Sequence, residues 1–148
     1  MTEQLTKIQS WLNDNELDVA YFSDFHSIAY LTGFESDPIE RVLALVVFPQ
    51  DEPFIFAPAL EVEAVKGAGW THPVYGYQDH EQPYQMIANY IKQHTTHATK
   101  WAVEKAQMTL DRAALLETAV PEAKFVADLS PLMTEMHLIK TPDEIAKM

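Results

Sequence analysis

The stretch Val42-Leu43-Ala44-Leu45-Val46-Val47-Phe48 is apolar at every one of its positions. A strand with one face in water alternates apolar and polar residues, whereas a strand covered on both faces reads as a continuous apolar run. The stretch therefore predicts a central strand between two layers of helices. Residues 49–52 predict a turn and residues 53–57 a second strand, so that the two strands form an antiparallel hairpin.

On both sides of this hairpin, short apolar strands alternate with amphipathic helices. Near the amino terminus Leu5, Ile8 and Leu12 recur at helical spacing, and a later helix is expected to end at Gly33. Alternating elements of this kind pack as helices on a sheet, and the hairpin makes the sheet mixed. The sequence thus predicts a three-layer α/β/α domain with a mixed sheet. The predicted strands are 17–22, 42–48, 53–57, 73–77, 100–103 and 124–128, and the predicted helices begin near residues 2, 24, 61, 83, 110 and 130.

Length and charge limit the classes of function. The chain has 148 residues, about the length of one domain, and 47% of them are hydrophobic, which is enough to build a core. Ten basic residues against 22 acidic ones give a net charge of −12, and no basic cluster interrupts this balance. We therefore expect no nucleic-acid partner and no membrane-surface partner, while a basic protein partner remains open.

Cysteine usage and the first residues point to a compartment. The chain has no cysteine, which excludes disulfides, thiol catalysis and thiolate metal sites, and fits a reducing compartment. The first residues have neither the basic start nor the apolar core of a signal peptide, and the longest apolar run is too short to cross a bilayer. We expect a cytoplasmic protein.

The carboxyl-terminal residues contain a helix start with almost no helix after it. Thr141-Pro142-Asp143-Glu144 combines an N-cap threonine, a proline at the first helical position and a glutamate three residues after the cap, which is a capping box. A single helical turn is not stable alone. We expect residues 1–136 to form one domain and residues 137–148 to be a linker and the start of the first helix of a second domain. The alternative is a frayed turn packed on the first domain.

Several strings, in order along the chain, carry a resemblance to a known family. Tyr30-Leu31-Thr32-Gly33-Phe34, after a short strand and helix, is similar to the best local signature of the amino-terminal domain of the creatinase/prolidase/aminopeptidase P family. Residues 36–41, 56–61 and 75–81 resemble the bacterial prolidases, which are Xaa-Pro dipeptidases, more closely than other members. Residues 138–145 resemble the junction at which the family's catalytic domain starts.

The resemblance implies a fold for this chain and a two-domain protein in which the other domain carries the catalytic site. Family members pair a mixed-sheet domain of the ribonuclease H-like kind with a carboxy-terminal domain that binds two divalent metals, usually manganese, zinc or cobalt. The metal ligands are two Asp, one His and two Glu, and all would follow residue 148. This chain is therefore expected to hold no catalytic residue, no metal and no cofactor, and to be inactive alone.

The whole protein implied by the resemblance is a cytosolic metallopeptidase that hydrolyses Xaa-Pro dipeptides, in which this domain adjoins its own C-terminal catalytic domain. The resemblance also implies a homodimer whose amino-terminal domains shape the active-site entrance. The alternatives are the amino-terminal domain of an aminopeptidase P or of a creatinase-type enzyme, and a stand-alone protein-binding module of the same fold.

The candidate site residues lie in the segment that precedes the apolar strand. Asp37, Glu40 and Arg41 surround Pro38 there. In relatives, loops of this domain approach the active-site mouth of the neighbouring subunit, so the resemblance implies that Arg41 contacts the carboxylate of a dipeptide and Asp37 its free amine. A guanidinium suits a carboxylate because it offers two parallel N–H donors. The alternative is a surface ion pair of Arg41 with Asp37 or Glu40, which would contribute little.

Two other polar groups have plainer interpretations. His94 and His97 are three residues apart and are able to share a helix face, but a solvated helix end is favoured over a metal pair. Residues 79–81, Asp-His-Glu, predict a solvated loop or a cap for the helix that starts at Pro83.

The large aromatic residues are mostly expected to pack. Trp11 lies on a helix stripe and Trp101 in a strand, so both are predicted to belong to the core. Tyr75 and Tyr77 are predicted to pack rather than bind substrate. Trp70 follows a glycine-containing stretch, so it is either a loop residue or part of an interface.

Overall fold

The computed structural model describes residues 3–36 and 41–138, except for the side chains of residues 137 and 138. Within these residues, strands and helices alternate as the apolar pattern predicts. The strands are β1 Val19–Phe22, β2 Ala44–Val47, β3 Phe54–Pro58, β4 Val74–Tyr77, β5 Lys100–Val103 and β6 Lys124–Asp128. The α-helices are α1 Glu3–Asp14, α2 Phe25–Thr32, α3 Val62–Gly67, α4 Pro83–His94, α5 Leu110–Ala119 and α6 Ser130–Leu138.

The strands form one mixed sheet in the order β4-β3-β2-β1-β5-β6. Strand β2 is antiparallel to both of its neighbours, and the other adjacent pairs are parallel. The antiparallel pairing of β2 with β3 confirms the predicted hairpin. A consequence is that the carboxyl ends of β1, β3, β4, β5 and β6 lie at one edge of the sheet, together with the amino end of β2. We call this the carboxyl edge.

Helices cover both faces of the sheet, which confirms the three-layer prediction. One core cluster joins the sheet to α1, α2, α3 and α6, and the other joins it to α4 and α5. Residues of β2 contribute alternately to the two clusters: Leu45 and Val47 belong to the first, Ala44 and Val46 to the second. All four are fully buried. The sequence of β2 is thus continuously apolar for the predicted reason, because helices cover both faces of the strand.

Helix α2 begins and ends where its sequence indicates. Asp24 is its N-cap, with extended backbone, and the Asp24 carboxylate accepts a hydrogen bond from the N–H of Ser27. Gly33 follows the helix at φ 81°, in the left-handed region that glycine adopts without strain, and its N–H donates to the carbonyl of Ala29.

The segment between β3 and β4 differs in detail from the prediction. The expected helix from residue 61 is a 3₁₀ turn at Ala59–Glu61 followed by the short helix α3. The turn and the first residue of α3 pack tightly on β4, because a Cβ at Gly76 would lie 2.8 Å from Cγ2 of Val62 and 3.1 Å from Cα of Ala59. A residue without a side chain is therefore needed at position 76.

The possibility that Trp70 serves an interface is wrong. Its side chain is buried in the first core cluster, and its indole N–H donates to the carbonyl of Pro73 at 3.0 Å. Trp101 is fully buried in the second core cluster, as predicted, whereas Trp11 is only half-buried and packs on the rim of the first.

Two other sequence expectations concern the carboxyl-terminal capping box and membrane-spanning helices. The residues of the predicted capping box, 141–144, lie outside the described residues. Among the helices that the structure does describe, none is long and apolar enough to cross a membrane.

Candidate functional site

The carboxyl edge collects the polar residues that follow each strand. Five strands end there, so acidic side chains from distant parts of the sequence come to the same side of the molecule. Arg41, one of the predicted site residues, lies at this edge just before β2. The other two, Asp37 and Glu40, lie outside the described residues.

Arg41 makes an ion pair at this edge with Asp79, the second residue after β4. Its Nη2 atom lies 3.1 Å from Oδ2 of Asp79, and the two side chains are 44% and 73% exposed. Such an exposed pair contributes at most about 1 kcal/mol to stability. The guanidinium is therefore accessible and weakly held, so it is able to exchange Asp79 for another carboxylate.

The backbone next to Arg41 is held much more firmly than its side chain. The N–H of Val42 donates to the hydroxyl of Tyr77 at 2.6 Å, and the Tyr77 ring is stacked on Phe56 with ring centres 5.0 Å apart. Burial raises the pKa of the Tyr77 hydroxyl, so it stays neutral at physiological pH. This arrangement fixes the Cα of Arg41 against β4 while its side chain faces solvent.

The residues before the undescribed stretch 37–40 are held at the same edge. Phe34 is buried in the core, and Ser36 Oγ lies 3.5 Å from Oε1 of Glu61, at the end of the 3₁₀ turn. Leu60, in the middle of that turn, is 84% exposed.

Sequence reasoning missed a second polar cluster at this edge, centred on Glu104. Its side chain is only 2% exposed. Oε1 accepts hydrogen bonds from the N–H groups of Ser23 and Asp24 at 3.0 and 3.1 Å, and Oε2 accepts one from Ser27 Oγ at 2.6 Å. The available signal was position: Glu104 directly follows the buried strand β5, where a charged side chain needs partners.

Burial raises the pKa of Glu104, and the nearby Asp24 carboxylate acts in the same direction. The hydrogen bonds from Ser27, Asp24 and Ser23 oppose this rise without cancelling it. All three bonds end on the chain itself, so the cluster joins the end of β5 to the first turn of α2. The role of the Glu104 cluster within this chain is structural, since it links the end of β5 to the start of α2.

The pKa of Asp128, the last residue of β6, is shifted in the opposite direction to that of Glu104. Its Oδ1 atom accepts hydrogen bonds from the N–H groups of Ser130 and Lys105 at 2.9 and 3.1 Å. Partial burial works to raise its pKa, but these hydrogen bonds outweigh burial and the pKa is lowered. At the carboxyl edge, the fold therefore disfavours ionisation of the Glu104 carboxyl group and favours ionisation of the Asp128 carboxyl group.

The expectation that His94 is a solvated helix end is wrong. Its side chain is 9% exposed, with Nδ1 3.3 Å from Oδ2 of Asp51 and Nε2 3.0 Å from the Tyr75 hydroxyl. The ring also stacks on Phe48 at 5.3 Å. The carboxylate comes from the β2–β3 turn, which is distant in sequence. This cluster lies at the edge opposite to the carboxyl edge.

In the Asp79-His80-Glu81 loop, Asp79 and His80 are exposed and Glu81 is half-buried, so the loop is largely solvated, as one of the two predicted alternatives requires. The other reading is wrong, because no side chain caps α4: its N-cap is Gln82, without a capping bond from its side chain. Glu81 instead accepts a hydrogen bond from the N–H of Gln78 at 2.7 Å.

The described residues do not fit a two-metal site. Such a site needs several carboxylates and a histidine converging on one point. In residues 3–36 and 41–138, no three His, Asp or Glu side chains are grouped so that they could hold a metal ion. No catalytic step through a metal is therefore assigned to this chain.

Comparison with known proteins gives one consistent picture. The protein-family model described as "Creatinase/Prolidase N-terminal domain" matches residues 4–139. The Xaa-Pro dipeptidase of Lactobacillus helveticus is 41% identical over 144 residues, which are 97% of this chain and 39% of that protein. The chain thus spans about two fifths of the length of this curated relative.

Solved structures agree with the same picture. The N-terminal domain of Xaa-Pro dipeptidase from Lactobacillus brevis is 47% identical with a TM-score of 0.84, and the match covers 90% of this chain and 99% of that one. A proline dipeptidase structure from Streptococcus pneumoniae is 40% identical with a TM-score of 0.86, covering 95% of this chain and 100% of that one.

Proposed function

We propose, from the premise that this chain belongs to the creatinase/prolidase N-terminal domain family, that it is the non-catalytic amino-terminal domain of an Xaa-Pro dipeptidase. The observation that carries the proposal is the 41% identity over almost the whole chain to a dipeptidase of which the chain spans 39%. The metal-dependent chemistry then belongs to the remaining polypeptide. We place two divalent metals there, with manganese as the expected ion.

The proposed role of this domain is to shape the active-site entrance. Arg41 is half-exposed at the carboxyl edge on a backbone that Tyr77 holds in place, which is the arrangement needed to present a guanidinium to a ligand. In this proposal Arg41 binds the carboxylate of the dipeptide by paired N–H donors and leaves Asp79 as it does so. Asp37 binds the free amine of the substrate, and Glu40 is the third candidate residue of the entrance.

The proposal includes a homodimer in which this edge faces the active site of the neighbouring subunit. Leu60, exposed in the 3₁₀ turn beside Glu61, supports a contact there, because interface centres are apolar and their rims polar. The proposed location is the cytoplasm. The proposed domain boundary follows residue 136, with residues 137–148 leading into the catalytic domain.

Substrate length tests this function most simply. A full-length dipeptidase is expected to hydrolyse Xaa-Pro dipeptides and to act poorly on longer peptides that begin with the same two residues. Preference for the longer peptides would instead indicate an aminopeptidase P, and hydrolysis of a guanidino compound would indicate a creatinase-type enzyme. Loss of all three activities, with binding of a protein partner, would support the stand-alone module.

A further inference from the structure

A groove of about 810 Å³ lies between α1 and α6 on the outer side of the first helix layer. Its apolar lining consists of Trp11 from α1 and of Leu132 and Met136 from α6. Trp11 and Leu132 are half-buried and continue the first core cluster toward the surface. The groove is therefore an extension of the core that these two helices do not close.

Acidic side chains line the same groove. Glu3 and Asp14 come from the two ends of α1, and Glu135 comes from α6. Among the described residues that line the groove, Lys7 is the single basic one. An apolar centre with tryptophan and methionine, bordered by charged residues, is the composition of a protein interface. The carboxylates favour a partner surface that carries lysine or arginine around an apolar side chain.

The position of α6 indicates which partner lies near the groove. Helix α6 is the last described element, and it contributes one wall of the groove. Residue 139 therefore follows within one helical turn of Met136, which lines the groove. Relatives such as the Lactobacillus helveticus protein are much longer than this chain, which spans 39% of that protein.

We propose that the α1–α6 groove is the seat of the catalytic domain that follows this chain, with Trp11 as the anchor. This inference rests on the proposed function, which supplies that domain. A tethered domain has an effective concentration on the order of millimolar, so it occupies the groove ahead of a second copy that must bind from solution. The face of the catalytic domain that docks there presents an apolar side chain flanked by basic residues.

Oxidative footprinting of side chains tests the proposal, because tryptophan reacts readily and Trp11 is the tryptophan that is not buried in the domain. The 148-residue chain and the full-length protein are labelled side by side. The isolated domain is a sound reference, since the corresponding domain of the Lactobacillus brevis protein was solved on its own. Trp11 is expected to lose most of its labelling in the full-length protein, whereas Tyr90, a half-buried residue in the middle of α4 in the opposite layer, is expected to react equally in both.

A variant checks that the protection arises in the groove. Ser10 is exposed and lines the groove, so Ser10→Arg is expected to block docking and to restore the labelling of Trp11 in the full-length protein. Thr118→Arg, at an exposed position of α5, is the matched control and is expected to leave Trp11 protected. Thermal melts of both variants in the 148-residue chain establish that the domain still folds.

Two results would overturn the proposal. One is equal labelling of Trp11 in the isolated chain and in the full-length protein. The other is protection in the isolated chain that rises with protein concentration, which would assign the groove to a second copy. A full-length protein without dipeptidase activity would instead refute the proposed function, and the footprint would still report whether the groove is covered.

Discussion

Ser27 Oγ donates a 2.6 Å hydrogen bond to the carboxylate of Glu104, and this contact joins the first turn of α2 to the end of β5 across 77 positions of sequence. The other oxygen of the same carboxylate accepts the N–H groups of Ser23 and Asp24. Removing the side chain leaves these partly buried donors without an acceptor. Each unsatisfied buried donor costs about 1–3 kcal/mol.

Glu104→Ala is therefore expected to lower the free energy of unfolding by at least about 3 kcal/mol, because three donors lose their acceptor at about 1–3 kcal/mol each. Glu104→Gln is the matched control, because its single amide oxygen is able to accept both N–H groups while Ser27 turns its hydroxyl toward Asp24, 3.3 Å away. Urea denaturation at neutral pH measures both. A decrease in the free energy of unfolding below about 1 kcal/mol for the alanine variant would show that the Glu104 cluster does not stabilise the link between β5 and α2.

The raised pKa of Glu104 makes part of the stability depend on pH. A carboxyl group whose pKa is higher in the folded state than its ordinary value of 4.5 stabilises the fold below that value, and this contribution is lost as pH rises through the folded pKa. The unfolding free energy of the wild type is thus expected to fall relative to Glu104→Gln as pH rises from about 4.5.

Asp128 supplies a control of opposite sign. Its pKa is lowered in the fold, so its contribution is present at neutral pH and is lost as pH falls through the folded pKa. The wild type is expected to lose stability relative to Asp128→Asn in acid. Urea denaturation midpoints of the wild type, Glu104→Gln and Asp128→Asn are measured from acid to neutral pH. Parallel pH dependences for the wild type and Glu104→Gln would contradict the raised pKa of Glu104.

Gly76 tests the packing of β4 on the 3₁₀ turn. Gly76→Ala places a Cβ 2.8 Å from Val62 and 3.1 Å from the backbone of Ala59, so overpacking is expected to cost about 1–3 kcal/mol. Gly67→Ala is the control, since a Cβ there has no neighbour within 4 Å. That change is expected to be neutral or slightly stabilising, because alanine reduces the entropy of the unfolded chain. Equal melting temperatures for the two variants would contradict the packing described.

Much of the fold follows from local patterns. The uninterrupted apolar run at residues 42–48 requires cover on two faces, and the structure supplies it for β2. Asp24 and Gly33 mark the ends of α2 because capping and left-handed backbone are local properties. Such features need only neighbouring residues, and sequence is sufficient for them.

The site was less accessible to prediction because its contacts are long-range. The sequence offered Asp37 or Glu40, which lie outside the described residues, as an ion-pair partner of Arg41, but it gave no sign of the pairing with Asp79, 38 positions away. The burial of His94 against Asp51 likewise depends on how α4 meets the β2–β3 turn. Local spacing carries no information about which loops meet at a sheet edge, so these partners require the strand order.

Arg41→Ala in the full-length protein tests the entrance role. A charge-assisted hydrogen bond contributes about 1.5–3 kcal/mol, so KM for an Xaa-Pro dipeptide is expected to rise roughly 10- to 150-fold with little change in kcat. Lys92→Ala removes a charge from an exposed position of α4 near the opposite edge and is expected to leave KM unchanged. Unchanged kinetic constants for Arg41→Ala would remove Arg41 from the substrate site.

The most direct measurement compares two proteins in one assay: the 148-residue chain and the full-length polypeptide, each supplied with Mn²⁺ and an Xaa-Pro dipeptide. We predict proline release by the full-length protein and none by the chain alone, because no metal-binding group forms within the described residues. Metal-dependent proline release by the 148-residue chain would contradict this account, and so would a full-length protein that binds metal but leaves the dipeptide intact.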